Sequence, residues 1–178
     1  MNTYIALLRG INVSGQKKIP MSVLRELWSS LGFQMVRTYI QSGNVCFQSM
    51  EEDSEALKIK IQDAIKSEFH FEVPVLLKTP QALDQIFNAC PFVDNEKTNS
   101  YFILLYNKPD KLLVDKLTIF SSAEERFVIT EQCIYFYSSL GYGKSKFNTN
   151  FFERKLNVTA TARNYKTMLK LLSLSAEN

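Results

Sequence analysis

The spacing of apolar residues changes in a regular order along the chain, and that order predicts the fold. Apolar side chains cluster over strand length from Asn2 to Arg9. Pro20 then occupies a first helical position. Met21, Leu24, Leu27, Trp28 and Leu31 follow at helical spacing, and Gly32 supplies a stop. Two β-prone segments, Met35 to Ile40 and Val45 to Gln48, flank Gln41-Ser42-Gly43-Asn44, a turn-rich tetrapeptide that predicts a hairpin. After the acidic opening Glu51-Glu52-Asp53-Ser54, the stripe Leu57, Ile61, Ala64, Ile65 and Phe69 predicts a second helix. Val73 to Lys78 reads as a fourth strand. Thr79 and Pro80 open one more helix, with Leu83, Ile86, Phe87 and Cys90 on its apolar face.

The order then starts again. Asp94 to Asn99 is polar and reads as a linker. Beyond it Tyr101-Phe102-Ile103-Leu104-Leu105 matches Tyr4-Ile5-Ala6-Leu7-Leu8 in character, and Pro109 opens a helix carrying Leu113, Leu117 and Phe120. Strands at Arg126 to Thr130 and Cys133 to Tyr137 follow. A helix from Thr149 to Leu156, an extended segment Val158 to Ala162 and a helix Tyr165 to Leu172 complete the second round. The reading is α+β: two tandem ferredoxin-like halves, each βαββαβ plus an extra helix, with antiparallel sheets and helices on one face. The expected boundaries are residues 1–92 for the first half, 93–99 for a linker and 100–178 for the second half.

This topology brings polar loops together. Successive elements alternate in direction, so Arg9-Gly10-Ile11-Asn12 and Gln41-Ser42-Gly43-Asn44 are expected at one end of the first sheet. In the second half, Leu140 to Lys146 is expected beside the exit of the last strand at Thr161-Ala162-Arg163-Asn164.

Composition narrows the chemistry. A hydrophobic fraction of 46% over 178 residues can fill a real core. The longest apolar runs are far short of the roughly 20 residues that span a bilayer, and the first run enters the fold, so no membrane contact and a cytoplasmic location are expected. Cys46, Cys90 and Cys133 are widely spaced and read as buried thiols. With His70 as the only histidine, a metal site is not expected, and no motif calls for a cofactor. His70 reads as structural, at a helix end.

The net charge of +3 conceals an asymmetry. Ser49 to Glu96 carries ten acids against four bases, whereas Lys144, Lys146, Arg154, Lys155, Arg163, Lys166 and Lys170 face Glu153 alone. Arg9, Lys17 and Lys18 add three bases and no acid in the first loop. Such zones favour anionic ligands, either a small phosphorylated molecule or nucleic acid.

Gly10 and Gly15 have the glycine spacing of a P-loop, but Gln16-Lys17-Lys18 follows where Gly-Lys-Ser/Thr entering a helix is required. The Gly143-Lys144-Ser145 tripeptide has Ser138 in place of the first glycine. A looser anion site fits better. It would draw on Arg9, Gly10, Asn12, Gly15, Lys17 and Lys18, with Gln41, Ser42 and Asn44 beside them and Arg37 and Tyr39 on one face of the neighbouring strand. In the second half, Gly143, Lys144, Ser145 and Lys146 form an anion-receptive loop, next to Arg163 and Asn164, of which Asn164 could equally cap the last helix. The 13 phenylalanines and eight tyrosines do not form the signature of a sheet-surface RNA module and read mostly as core.

The segments YIALLRGINVSGQKKIPM, RTYIQSGNVCF, GYGKSKF and TARNYKTMLKLL, in this order, resemble the bacterial DUF1697 family. The resemblance implies a duplicated ferredoxin-like fold in a cytoplasmic bacterial protein and leaves the activity open. Ser14 stands where the family pattern has a second glycine, Lys144 where it has arginine and Tyr165 where it has tryptophan.

Three functions compete. The first is recognition of an anionic ligand, nucleotide-like or nucleic acid, by these loops. The second is an enzyme acting on a small phosphorylated or carboxylated substrate at the same place, although the loops hold no Asp, Glu, His or Cys as a general base. The third is a structural or interaction protein. No pattern fixes an oligomeric state.

Overall fold

The computed structural model describes residues 1–117 and 124–177. Its elements are β1 (Asn2–Leu8), α1 (Met21–Ser30), β2 (Gln34–Tyr39), β3 (Asn44–Ser49), α2 (Ser54–Phe69), β4 (Val75–Lys78), α3 (Pro80–Asn88), α4 (Asp94–Thr98), β5 (Tyr101–Leu105), α5 (Lys111–Leu117), β6 (Glu125–Ile129), β7 (Cys133–Ser138), α6 (Thr149–Leu156), β8 (Ala160–Asn164) and α7 (Tyr165–Ala176). They form two compact units, Met1–Asp84 with Lys170–Asn178, and Gln85–Leu169. Phe120, expected on the helix after Pro109, lies outside the described residues.

The first unit is an antiparallel sheet in the order β2-β3-β1-β4, as a ferredoxin-like half requires. Strand alternation sends Tyr4, Ala6, Leu8, Val45, Phe47 and Val75 to one face. There they pack against Leu24 and Trp28 of α1 and Leu57, Ile61 and Ile65 of α2. Asp53 caps α2, its carboxylate accepting from the Glu55 and Ala56 N–H groups. His70 ends that helix in a left-handed conformation, its N–H bonded to the Lys66 carbonyl.

The second unit repeats this sheet as β6-β7-β5-β8. Ile103, Leu105, Ile134, Phe136 and Ala160 face Leu117 of α5 and Phe152 and Leu156 of α6.

Helices were expected on one face of each sheet, but the opposite faces are covered as well. Ile5, Leu7, Asn44 and Cys46 on the first sheet are fully buried, and the Cys46 thiol lies 3.9 Å from the Leu171 carbonyl of α7. On the second sheet Phe102 stacks on Phe87 of α3 at 5.6 Å, and the Tyr135 hydroxyl donates to the Ile86 carbonyl at 2.9 Å. The cause is legible in β1 and β5, whose apolar runs place large side chains on both faces, so each sheet needs two covers.

The stretch 93–99, read as a linker, contains α4 and is tied down. Glu96 pairs with Arg126, the Lys97 ammonium sits over the Phe87 ring at 5.1 Å, and the Ser100 hydroxyl donates to the Lys97 carbonyl at 2.7 Å. The division into units falls after Asp84 and again after Leu169, inside α3 and α7.

Candidate functional site

The two halves make the same connections with different lengths of chain. From β1 to α1 the first unit uses residues 9–20, whereas the second passes from β5 to α5 with 106–110. From β3 to α2 the first unit uses 50–53, and the second passes from β7 to α6 with 139–148. Each half thus carries one connection longer than its sister needs to make the same fold. These longer loops hold the glycines and lysines singled out in the sequence.

In the first unit the loop meets the β2–β3 turn, as the topology requires. The Leu8 N–H bonds to the Gly43 carbonyl at 2.8 Å, and Asn12 Nδ2 donates to the Gln41 carbonyl at 2.9 Å. Asn12 is left-handed, with φ 56°. It also donates to the Ile19 carbonyl at 3.0 Å and accepts from the Ile19 N–H at 2.8 Å, so its amide serves the loop itself. Beyond it the chain forms a small hairpin. Asn12 N–H bonds to Lys17 O, Gln16 N–H bonds to Val13 O, and Ser14 and Gly15 are both left-handed, the φ pattern of a type I′ turn. Gly15 is therefore accounted for by the turn. Ser14, at φ 49°, takes a conformation that glycine adopts without strain.

The cationic side chains of this loop differ in their engagement. The Arg9 N–H bonds to the Pro74 carbonyl, and its side chain is half-buried. Lys17 donates to the Glu72 carbonyl at 2.7 Å and lies 6.0 Å from the centre of the Phe71 ring. The exposed Lys18 ammonium has no hydrogen-bond or ion-pair partner among the described residues. Gly10 is exposed and left-handed, with φ 71°.

Asn44 is fully buried, and its amide donates to Tyr39 O and Ser42 Oγ, both at 2.9 Å, which fixes the turn. Gln41 is exposed. Gly43 is held by contact as well as conformation, since a Cβ there would lie 2.6 Å from the Leu8 Cβ. Arg37 and Tyr39 share a strand face by register, but the Arg37 guanidinium is engaged by the Glu177 carboxylate at 2.7 Å. Ile40, a β-branched residue, is left-handed at φ 48° and 51% exposed. That strain next to the loop has no sequence signal, because β-branching argues against it.

In the second unit Gly141 is left-handed and a single 3₁₀ turn, Tyr142–Lys144, follows. The Tyr142 ring stacks on Tyr101 at 4.3 Å. Its hydroxyl lies 2.6 Å from Thr149 Oγ1 and accepts from the Thr149 N–H, so it anchors the start of α6. Burial pushes the Tyr142 phenol up, against the pull of its Thr149 hydrogen bonds. Ser145 is buried, and its hydroxyl accepts from the Phe147 N–H. Gly143 is open, and the Lys144 and Lys146 ammonium groups are exposed, without a partner among the described residues. Asn164 accepts from the Thr167 N–H at 2.8 Å and caps α7.

Arg163 is brought to this strand but not to this loop. It is buried on the sheet face of Phe102, and its Nη1 donates to Thr161 Oγ1 and the Ala162 carbonyl, both at 2.8 Å. Its guanidinium therefore runs back along β8, away from Gly141–Lys146, and burial lowers its pKa to about 10. The interior position follows from strand alternation, which also puts Thr161 on that face.

The cysteines form no disulfide with one another; Cys46 and Cys133 are buried and Cys90 is half-buried. Among the described residues no cluster of three His, Cys, Asp or Glu side chains could hold a metal, and no helix is long and apolar enough to cross a membrane.

Comparison with known proteins bears on the fold. The chain is similar to a solved structure described as that of the conserved bacterial protein SP0830 from Streptococcus pneumoniae, with a TM-score of 0.72 and 22% identity over 97% of this chain and 98% of that one. No curated protein sequence matches. The model of the family described as "Protein of unknown function (DUF1697)" matches residues 1–135, more than half of the chain, and the chain therefore belongs to the DUF1697 family.

Proposed function

We propose that this protein binds a phosphate-bearing ligand, nucleotide-like or nucleic acid, through the loop between β1 and α1. The observation that carries the reading is the internal comparison. The sister half makes this connection with residues 106–110, so the length of 9–20 is not demanded by the fold. What the extra length adds is an exposed, glycine-bearing hairpin with Arg9, Lys17 and Lys18 at its base and no acid of its own. Lys18 offers an ammonium with no partner among the described residues, and the base of the hairpin is fixed because Asn12 staples it to Ile19 and Gln41. A preformed cationic loop binds an anion with less ordering cost than a flexible one. Three cysteines that form no disulfide with one another suit a cytoplasmic setting.

The test is thermal unfolding at constant ionic strength with pyrophosphate, a nucleoside triphosphate or a short RNA, comparing wild type with Lys18→Ala. A ligand of the native state raises the midpoint by mass action. Stabilisation in wild type that falls at least fivefold in apparent affinity in Lys18→Ala is expected. No stabilisation by any of these probes, or equal stabilisation of both proteins, refutes the reading.

A further inference from the structure

The second unit carries its own long connection, at 139–148, and its construction points to a ligand. We propose that Lys144, Lys146 and Lys166 form a contact surface for the phosphate backbone of a single nucleic-acid strand. This surface belongs to the second unit alone and does not rest on the reading of the first.

The loop has two sides. Ser145 is buried and closes a turn through Phe147 N–H, so its neighbours Lys144 and Lys146 project on the exposed side. Their backbones are separated by at most about 7 Å of chain, on the scale of neighbouring phosphates along a strand. Tyr142 holds this turn at both ends of its side chain, with its ring stacked on Tyr101 and its hydroxyl on Thr149. Tyr101 is paired in register with Asn164, and the exposed Lys166 follows two residues later on α7. The three lysines therefore belong to one end of the sheet.

The nearby acids are engaged within the fold. Glu153, the only acid from Leu140 to Leu169, uses Oε1 to accept from the Ala160 N–H, and Ala160 pairs with Leu105 at the opposite end of the sheet, while its charge still reaches the Tyr142 phenol and helps to raise its pKa. Glu124 and Glu125 reach the lysine end only at the edge strand β6, where the Ser138 hydroxyl donates to the Glu125 carboxylate at 3.3 Å. None of the three ammonium groups has an internal partner among the described residues. Exposed cations without an internal partner among the described residues, two on an anchored turn and one at the start of α7, match a polymer that presents successive phosphates, and such contacts release counterions.

The experiment measures fluorescence anisotropy of a labelled 12-nucleotide single-stranded RNA, its DNA counterpart and the matching duplex from about 50 to 200 mM salt. Wild type is compared with the triple variant Lys144→Ala/Lys146→Ala/Lys166→Ala and with the corresponding triple Arg variant. Each phosphate neutralised on a single strand contributes about 0.7 to the slope of log affinity against log salt, so the Ala variant is expected to lose about 2 from that slope. The Arg variant is expected to keep it. No binding of either single strand at 50 mM salt overturns the proposal, as does tighter binding of the duplex. So does an unchanged slope in an Ala variant whose thermal midpoint equals that of wild type. Lys18→Ala separates the two readings. A slope that responds to the triple variant and not to Lys18→Ala leaves this surface standing and removes the first loop from nucleic-acid binding, and the converse result removes this surface.

Discussion

Asn12 Nδ2 donates to the Gln41 carbonyl at 2.9 Å, which staples the long loop of the first unit to the turn between β2 and β3. The same side chain makes two further bonds to Ile19, and its left-handed backbone suits asparagine. Asn12→Ala therefore removes three hydrogen bonds and leaves an unfavourable conformation. A loss of about 2 kcal/mol in a urea unfolding experiment is expected, at roughly 1 kcal/mol or less per partly exposed bond. A loss below a few tenths would show that the staple does not hold the loop.

Gly43 makes a sharper case. A methyl group there would stand 2.6 Å from the Leu8 Cβ and 3.0 Å from the Ile11 Cδ1, on a backbone at φ 74°. Strand β1 cannot give way, because Leu8 is fully buried in the core. Gly43→Ala is expected to destabilise by about 3 kcal/mol, combining left-handed strain with overpacking. Gly10→Ala meets no atom within 4 Å and carries the strain alone, about 1 kcal/mol. Equal losses in the two variants would contradict the packing assigned to Gly43.

The difference between these two glycines also marks the limit of what the sequence discloses. The doubled βαββαβ order was legible because apolar spacing switches between strand and helix periods, and the meeting of the 9–12 and 41–44 loops followed from topology alone. The second cover on each sheet was hinted at by Ile5, Leu7, Phe102 and Leu104, but the helices that supply it come from elsewhere in the chain, which local periodicity does not encode. At the candidate loops, residue type gave the cations but not their commitments. Lys17 and Lys18 are adjacent and alike in sequence, yet one donates to the Glu72 carbonyl and the other has no partner among the described residues. Arg163 is expected at the exit of the last strand, beside the Leu140–Lys146 loop, and only the direction of its side chain, bonded to Thr161, shows it to be interior.

Tyr142 links the second loop to α6. Tyr142→Phe keeps the ring stack on Tyr101 and removes only the hydroxyl that accepts from the Thr149 N–H and meets its Oγ1. The expected cost is about 1 kcal/mol. Hydrogen exchange at the Thr149 amide should quicken while amides of β7 hold their protection. Unchanged exchange at Thr149 would mean the hydroxyl does not anchor the helix.

Alkaline pH should weaken the fold through groups that burial keeps protonated. The Cys46 thiol is pushed up to about 11 by burial, with Arg37 pulling it the other way, and burial also raises the Tyr135 phenol. An acid whose folded pKa lies above its unfolded value keeps its proton in the native state after the unfolded chain has released it. Stability is then unaffected well below the unfolded thiol value of about 9 and declines as pH rises through the window from 9 to 11. A shift of this size accounts for about 1 kcal/mol of extra loss between pH 8 and 10. Urea midpoints of wild type and Cys46→Ala at the two pH values measure it. The variant should begin about 1 kcal/mol less stable at pH 8, from the small cavity under α7. It should then lose less stability on going to pH 10, because the remaining alkaline groups, Tyr135 among them, are common to both proteins. Parallel losses in the two proteins would show that the Cys46 thiol does not contribute.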